Sequence, residues 1–273
     1  MSASSPGPRP ELAGLTIADA PELWAALGFT VAAGRLVLGG IDVCLGGEGR
    51  GITGWTLRHV SAVSAIDGLP TAVTADPPPP AVPTGHPNGA LGIDQVVVTT
   101  PDFDRTAAAL DAAGMPLRRI KPADASAARS GEAGRPAGGE LTGGSYRQGF
   151  RRLGPAILEL VEATPSSPGV PEANSVGSCP AGNSPAPRGP QAAPSPSARA
   201  PRGPQAAPSP SAHTAGPARF WGLVVVVPDL PALRRRLSPH VSEIRDAVQP
   251  GRHIAALSAA AGLSPRVAFM DPE

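Results

Sequence analysis

The chain has 273 residues, of which 36 are Pro and 33 are Gly. Because neither residue is favoured inside helices and strands, the folded part must be shorter than the chain, which excludes a large multidomain enzyme. The 23 basic and 22 acidic residues leave a formal charge of +1. No overall field therefore attracts nucleic acid or an anionic membrane, and the function has to be argued from local motifs.

Targeting and membrane signals are missing from the sequence. Residues 1–10 lack the basic start and apolar stretch of a signal peptide, and the longest apolar run, Phe220 to Val227, is far too short to span a bilayer. Neither Cys44 nor Cys179 has a Cys-x-x-Cys neighbour, which is typical of a reduced chain. The sequence predicts a soluble cytoplasmic protein without membrane or nucleic-acid partners.

The first predicted unit covers 11–74. A β-branched run leads to Asp19, a helical stretch follows, and Leu27 lies eight residues after the Asp. The periodicity then changes to that of strands, separated by Gly-rich turns. The predicted strands are Phe29 to Val31, Arg35 to Leu38, Ile41 to Leu45 and Ile52 to Val60. We therefore interpret the unit as a βαβββ-like module.

A Pro-rich linker is predicted over 75–90, and the second unit follows it. The run Gln95 to Thr100 precedes Asp102, and Leu110 again lies eight residues beyond. An Asp at this point caps the first turn of a helix, and a Leu two turns later lies on the face towards the sheet. The predicted strands are Leu117 to Ile120, Tyr146 to Leu153 and Ala156 to Val161. The Gly-rich stretch 122–145 between them is predicted to be a mobile loop.

The stretch 165–217 is too rich in Pro and too poor in branched aliphatic residues to build a core, so we expect it to be disordered. It contains a tandem duplication, Ala186 to Arg199 and Ala200 to His213. Its Pro-x-x-Pro spacings are typical of polyproline ligands, which would make the chain a scaffold. Replication slippage within a surface loop is the alternative, because long surface insertions cost little stability.

The third unit resembles the second. GLVVVVPDLPALRRRL (222–237) aligns with QVVVTTPDFDRTAAAL (95–110), sharing Val-Val, Pro-Asp and the final Leu, with Asp229 at the capping position. The predicted strands after the helix are Val241 to Arg245, His253 to Ser258 and Arg266 to Met270. One βαβββ unit is therefore used twice between 91 and 273, and more loosely a third time at 11–74.

The repeated βαβββ unit, with its Asp-capped helix after a Val-rich strand, resembles the vicinal oxygen chelate superfamily, which includes glyoxalase I, extradiol dioxygenases and bleomycin-resistance proteins. The strings GIDQVVV (92–98), LGFTV (27–31) and ILELV (157–161) fit this resemblance. It implies an α+β fold in which paired βαβββ modules form a cupped half-barrel sheet over 91–273. The N-terminal βαβββ-like module and the disordered insertions would be additions to that domain.

The resemblance also implies a divalent metal held by the first and fourth strands of both units, with His or Gln and Glu as ligands. Gln95 and Glu159 occupy these positions in the second unit, whereas Gly222 and Phe269 align with them in the third. Half of the expected ligands are therefore absent. We expect a degenerate or absent metal site, unless His253 on the neighbouring strand replaces a ligand.

Three functions follow from these residues. The first is a glyoxalase-like protein that binds a small-molecule ligand through Gln95, Glu159 and His253. The alternative is a metal-dependent lyase, isomerase or dioxygenase that uses Gln95 and Glu159, and the third is the Pro-rich scaffold. No catalytic residue is assigned.

Other side chains are open to two interpretations. Trp221 is predicted to form either core or a cleft wall that stacks a flat ligand. Arg147 would suit an anionic substrate if it pointed into the cup, or would protect a sheet edge. The edge and apolar face of the N-terminal module predict either intramolecular docking or a homodimer.

Overall fold

The computed structural model describes residues 8–79, 85–121, 147–162 and 216–272. The predicted loop 122–145 lies outside the described residues, as does the insertion 165–217 apart from its last two positions. The described residues form two mixed sheets and three α-helices. Both sheets contain parallel and antiparallel pairs, so the chain has an α+β fold, as predicted. None of the described helices is long and apolar enough to cross a membrane.

The C-terminal sheet has eight strands and contains both repeated units. Its strands are β7 (Gly92–Thr100), β8 (Arg119–Lys121), β9 (Gln148–Leu153), β10 (Ala156–Glu162), β11 (Arg219–Val226), β12 (Arg245–Asp246), β13 (His253–Ala256) and β14 (Arg266–Met270). Their order across the sheet is β12-β13-β14-β11-β7-β10-β9-β8. In each unit the first strand pairs in parallel with the fourth, and the two first strands pair antiparallel at the centre. The predicted pairing of two βαβββ modules is confirmed.

Two aspartates begin the helices of these units in the predicted way. Asp102 accepts a hydrogen bond from the Arg105 backbone amide (3.0 Å) at the start of α2 (Phe103–Ala112). Asp229 accepts one from the Ala232 amide (2.8 Å) at the start of α3 (Leu230–Arg236). Each satisfies a backbone donor that a helix cannot pair by itself. The chain therefore turns in the same way from the first strand of both units into the helix.

Asp19 does not cap helix α1 (Pro21–Ala26), contrary to the sequence prediction. The helix begins after Ala20, which provides no side-chain hydrogen bond. The Asp19 carboxylate is buried and accepts hydrogen bonds from Trp24 Nε1 (3.2 Å) and from the Ser264 backbone amide (3.0 Å). It therefore joins the N-terminal module to the last part of the chain, and local spacing could not have indicated this role.

The N-terminal sheet has six strands, and its pairing differs from the sequence prediction. The strands are β1 (Glu11–Ile17), β2 (Arg35–Leu38), β3 (Ile41–Leu45), β4 (Ile52–Arg58), β5 (Ala65–Ile66) and β6 (Leu69–Val73), in the order β2-β3-β1-β4-β6-β5. The segment predicted as the strand Phe29 to Val31 is not a strand. Consequently β3 takes the position parallel to β1, while β4 pairs antiparallel with β1 and parallel with β6.

This pairing makes the N-terminal sheet a reduced version of the C-terminal one. Both consist of two halves whose first strands pair antiparallel, and in each half the last strand returns parallel to the first. Only the first half retains its helix, because residues 59–64 connect β4 to β5 without one. The first five elements still follow the predicted βαβββ order.

One hydrophobic core joins the two sheets and the three helices. It includes Leu12 and Trp55 from the N-terminal sheet, and Val96, Leu158 and Phe269 from the C-terminal sheet. Polar contacts reinforce this packing, since Asp67 accepts a hydrogen bond from Arg105 Nε at 2.8 Å. The N-terminal module thus docks on the paired modules within the same chain, which is one of the two arrangements predicted for it.

Candidate functional site

Strand alternation gives the C-terminal sheet one face towards the core and one face away from it. Val96 and Leu158 point into the core, so their neighbours Gln95 and Glu159 lie on the opposite face. We call this opposite face the C-terminal cup. Gln95 and Glu159 are on adjacent parallel strands, with Gln95 opposite Ile157 in the register. The structure therefore brings together the two residues that the resemblance selected.

Both side chains are buried although they lie outside the main core, each being 6% exposed. Gln148 on β9 joins them, since its Nε2 donates a hydrogen bond to Glu159 Oε1 at 2.9 Å. Burial raises the pKa of Glu159 to about 7, while the charge of Lys121 and the hydrogen bond from Gln148 act in the opposite direction. Near neutral pH this carboxyl group is therefore poised between its protonated and ionised forms.

Gln148 was missed by sequence reasoning. It lies opposite Val161 in the antiparallel pairing of β9 with β10, which puts it on the same face as Glu159. A signal was present, because alternation along β9 separates Gln148 and Arg152 from Arg147 and Arg151. The sequence did not show which of these two sets shares a face with Glu159.

The third unit contributes apolar side chains to the same face. Val224 is the register partner of Gln95 across the central strand pair, and Ala268 is the parallel partner of Val224. Val224, Ala268 and Met270 form a small buried cluster separate from the main core, with Ile254 packed against it. The C-terminal cup thus has a polar half in the second unit and an apolar half in the third.

The alignment of Phe269 with Glu159 was wrong by one residue. Gly222 pairs with Arg266 as Gln95 pairs with Ile157, so the counterpart of Glu159 is Ala268. Phe269 points the other way into the main core, where its ring stacks on Phe29 with centroids 6.5 Å apart. A shift of one residue reverses the face of a strand side chain, and local sequence similarity did not determine this register.

Gly222 occupies a position that has no room for a side chain. A Cβ atom there would lie 2.2 Å from the carbonyl oxygen of Arg266 and 2.8 Å from its Cβ, because β14 approaches β11 closely beside a bulge. The third unit therefore cannot carry a ligand at this position without moving its own strand. Neither glycine nor alanine offers a side-chain donor at the two counterpart positions.

We expect a G222A substitution to lower the free energy of unfolding by about 2–3 kcal/mol, since the methyl group must displace the backbone of β14. Chemical denaturation of G222A and the parent protein measures this loss. A matched control is Gly216→Ala, because a Cβ at Gly216 meets no atom within 4 Å. Equal stability of the two variants would contradict the close approach of β14 to β11.

The described residues do not fit the four-ligand metal site that the resemblance implies. Gln95 and Glu159 supply two donors from the second unit, while Gly222 and Ala268 supply none from the third. Among the residues described, no group of three or more His, Cys, Asp or Glu side chains is arranged to hold a metal ion. Moreover, one oxygen of Glu159 already accepts a hydrogen bond from Gln148. We therefore derive no reaction step through a metal.

His253 does not reach the C-terminal cup. On β13 it alternates with Ile254, whose partner Met270 lies on the cup face, so His253 belongs to the other face. Its Nδ1 lies 2.8 Å from Asp271 Oδ2, and its backbone amide donates to Asp271 Oδ1 at 2.6 Å. Although burial raises the pKa of Asp271, the hydrogen bonds and charge of His253 outweigh it, and the pKa is lowered. The structure does not bring His253 together with Gln95 and Glu159.

Arg147 also lies away from the cup. Its two Nη atoms bond both carboxylate oxygens of Asp104, at 3.0 and 2.7 Å, and its guanidinium lies 4.3 Å from the ring centroid of Phe103. Asp104 and Phe103 both belong to α2, which packs on the core side of the sheet. Arg147 therefore joins α2 to the start of β9 and does not share the polar half of the cup.

Trp221 remains available for stacking. It is half-buried at the bulge of β11, and it belongs to neither hydrophobic cluster. Trp55, in contrast, is buried in the core, where its Nε1 donates to Thr71 Oγ1 at 2.7 Å. Of these two indoles, only Trp221 is therefore partly exposed.

Two paired βαβββ modules, whose first strands pair antiparallel at the centre of one sheet, are typical of the vicinal oxygen chelate fold. A triple mutant of 4-hydroxymandelate synthase from Streptomyces coelicolor is similar over 96% of this chain and 92% of that chain, with a TM-score of 0.50 and 13% identity. Methylmalonyl-CoA epimerase from Mycobacterium tuberculosis is similar over 68% of this chain and 90% of that chain, with a TM-score of 0.37 and 14% identity.

No protein-family model and no curated protein sequence matches the chain. The fold is that of the vicinal oxygen chelate superfamily, as the sequence resemblance predicted. At 13% identity the likeness shows the fold alone, so the activity has to be argued from the side chains of the cup.

Proposed function

We propose that the chain binds a small molecule in the C-terminal cup, as a glyoxalase-like protein whose metal site is degenerate. The observation that carries this proposal is the division of the cup into a buried polar half, with Gln95, Gln148 and Glu159, and a buried apolar half around Val224 and Met270. A ligand with a carbonyl or hydroxyl group at one end and an aliphatic part at the other complements both halves.

The polar half supports hydrogen bonding to a neutral oxygen. The amides of Gln95 and Gln148 are donors, and Glu159 adds a donor when it is protonated. Because burial raises the pKa of Glu159 to about 7, the protonated form is well populated at neutral pH. In this proposal the half-buried Trp221 covers a flat ligand from the side of β11.

Binding of methyl ketones of increasing chain length tests the proposal. Each added methylene should tighten binding by about fourfold, because about 0.8 kcal/mol is gained when it leaves water for the apolar half. Isothermal titration of the parent protein and Gln95→Ala measures this series, and Gln95→Ala should weaken every member by a similar factor. Affinity that neither grows with chain length nor depends on Gln95 would refute the proposed site.

Metal analysis distinguishes this proposal from the alternative, a metal-dependent lyase, isomerase or dioxygenase that uses Gln95 and Glu159. Protein purified without chelator is compared with a Gln95→Ala/Glu159→Ala variant. The proposal expects equal, substoichiometric metal in both. One metal ion per chain that disappears in the variant would favour the enzyme. A cytoplasmic location, a homodimer and a partner for the Pro-rich repeat stay predictions.

A further inference from the structure

The N-terminal sheet has a cavity of its own on the face turned away from the core. Its volume is about 350 Å³, and its walls come from β1 to β4 and from the segment that follows β6. We call it the N-terminal pocket. Like the C-terminal cup, it lies on the face of its sheet that is turned away from the core. The volume is within the range of small-molecule sites, which begins at about 300 Å³.

Arg58 is the charged centre of this pocket. Leu57 beside it points into the core, so alternation along β4 turns Thr56 and Arg58 to the pocket. Arg58 is only 6% exposed, and its Nε donates to the backbone carbonyl of Asp76 at 2.5 Å. Within the described parts of the chain, its Nη groups have no hydrogen-bond acceptor and no carboxylate lies within 4.0 Å of them. The guanidinium is therefore held in place by one backbone contact and keeps its Nη donors available to an anion in the pocket.

The two carboxylates that line the pocket do not pair with Arg58. Arg35 Nε donates to Asp42 Oδ1 at 3.1 Å, and a second, shorter contact joins Arg35 Nη2 to Asp42 Oδ2. Asp76 is exposed, and its Oδ2 accepts from Thr74 Oγ1 at 2.9 Å. Neither carboxylate therefore neutralises Arg58, and the positive charge of Arg58 remains for a ligand.

Neutral hydrogen-bonding groups surround this charge. Thr16 on β1 and Thr56 on β4 line the pocket, and neither hydroxyl donates to another group within the described residues. A planar guanidinium with hydroxyls beside it suits two oxygens of one acidic group, because Arg donates two parallel bonds to a carboxylate or phosphate.

We propose that the N-terminal pocket binds a small molecule through one carboxylate or phosphate group, with Arg58 as the anion-binding residue and Thr16 and Thr56 as additional donors. This site is separate from the C-terminal cup, and it stands whether or not the cup binds a ketone. The acidic group pairs with Arg58, and the body of the ligand occupies the remaining volume between β1 and β4.

Titration with acetate and with inorganic phosphate, each at constant ionic strength set with chloride, tests the site and distinguishes the two acidic groups. Backbone amide NMR shifts of Gly14, Thr16, Thr56 and Arg58 should move with a common saturation curve for at least one anion. In Arg58→Gln the affinity should fall by at least tenfold. Arg58→Lys keeps the charge without the planar fork, so its affinity should lie between those of the parent protein and Arg58→Gln.

Arg235→Gln is the matched control. It removes the same charge from an exposed position on α3 that forms no ion pair with any described residue, and it should bind as the parent protein does. If Arg58→Gln fails to fold, the affinity of Arg58→Lys and the location of the shifted amides show whether the anion binds in the pocket. The proposal would be overturned by chemical-shift changes confined to residues outside the pocket. It would also be overturned by an equal loss of anion affinity in Arg58→Lys and Arg235→Gln.

Discussion

An R252A variant is expected to lose about 4 kcal/mol of unfolding free energy. Arg252 is 5% exposed, and its Nη1 bonds Asp94 Oδ1 at 2.9 Å while its Nε donates to the Asp271 carbonyl at 2.9 Å. Asp94 Oδ2 is buried and has no hydrogen-bond partner among the described residues. Removing Arg252 therefore leaves a carboxylate without its cation beside Gln95, at the bulge where β7 meets β11.

Chemical denaturation at neutral pH measures this loss. Two further variants serve as controls for its cause. R235A removes an exposed arginine of the same charge and should cost less than about 0.5 kcal/mol. The double variant Asp94→Asn/Arg252→Met removes both charges and should recover most of the stability, since the cost comes from the unpaired carboxylate. A loss below about 1 kcal/mol in R252A would show that the pair contributes little.

Replacing Glu159 with glutamine is expected to stabilise the protein by about 3 kcal/mol near pH 8 and by about 1 kcal/mol near pH 5. Burial raises the pKa of Glu159 from 4.5 to about 7, so the folded state holds this proton more tightly than the unfolded chain. The free energy of unfolding must therefore fall as the pH rises from about 4.5 to about 7. Glutamine is neutral at every pH and can still accept the hydrogen bond from Gln148, so E159Q escapes this loss.

Thermal or chemical unfolding of E159Q against the parent at both pH values gives the difference. The exposed Glu243 on the third unit provides a matched control, because Glu243→Gln should change stability by less than about 0.5 kcal/mol at either pH. A gain from E159Q that is the same at both pH values would contradict a buried, titrating carboxyl group. A buried polar group that lowers stability at neutral pH is consistent with a role in binding.

Local signals predicted the repeated architecture well. Asp102 and Asp229 have the same spacing to a buried Leu, and both cap their helices. Asp19 has that spacing too, yet its partners are Trp24 and Ser264, and the second of these is 245 residues away. A capping pattern specifies the residue type and the backbone turn, but it contains no information about a partner so distant in sequence.

Only part of the polar half of the cup could be predicted from the sequence. Gln95 and Glu159 lie on strands that the resemblance pairs directly, so their shared face could be inferred. Gln148 required the register of β9 against β10, and Ala268 required that of β14 against β11. Register depends on the turns and on the packing of the whole sheet, so alignment of short strings assigned Phe269 to the wrong face.

The contacts that join the first and last parts of the chain also constrain how the protein folds during synthesis. Phe29 stacks on Phe269, and Asp19 accepts a hydrogen bond from the amide of Ser264, so the core of the N-terminal sheet is completed by residues that are synthesised much later than the sheet itself. Contacts of such long sequence separation form slowly, because a long loop must close first. We therefore expect the N-terminal sheet to keep part of its apolar surface exposed during synthesis until β14 has emerged.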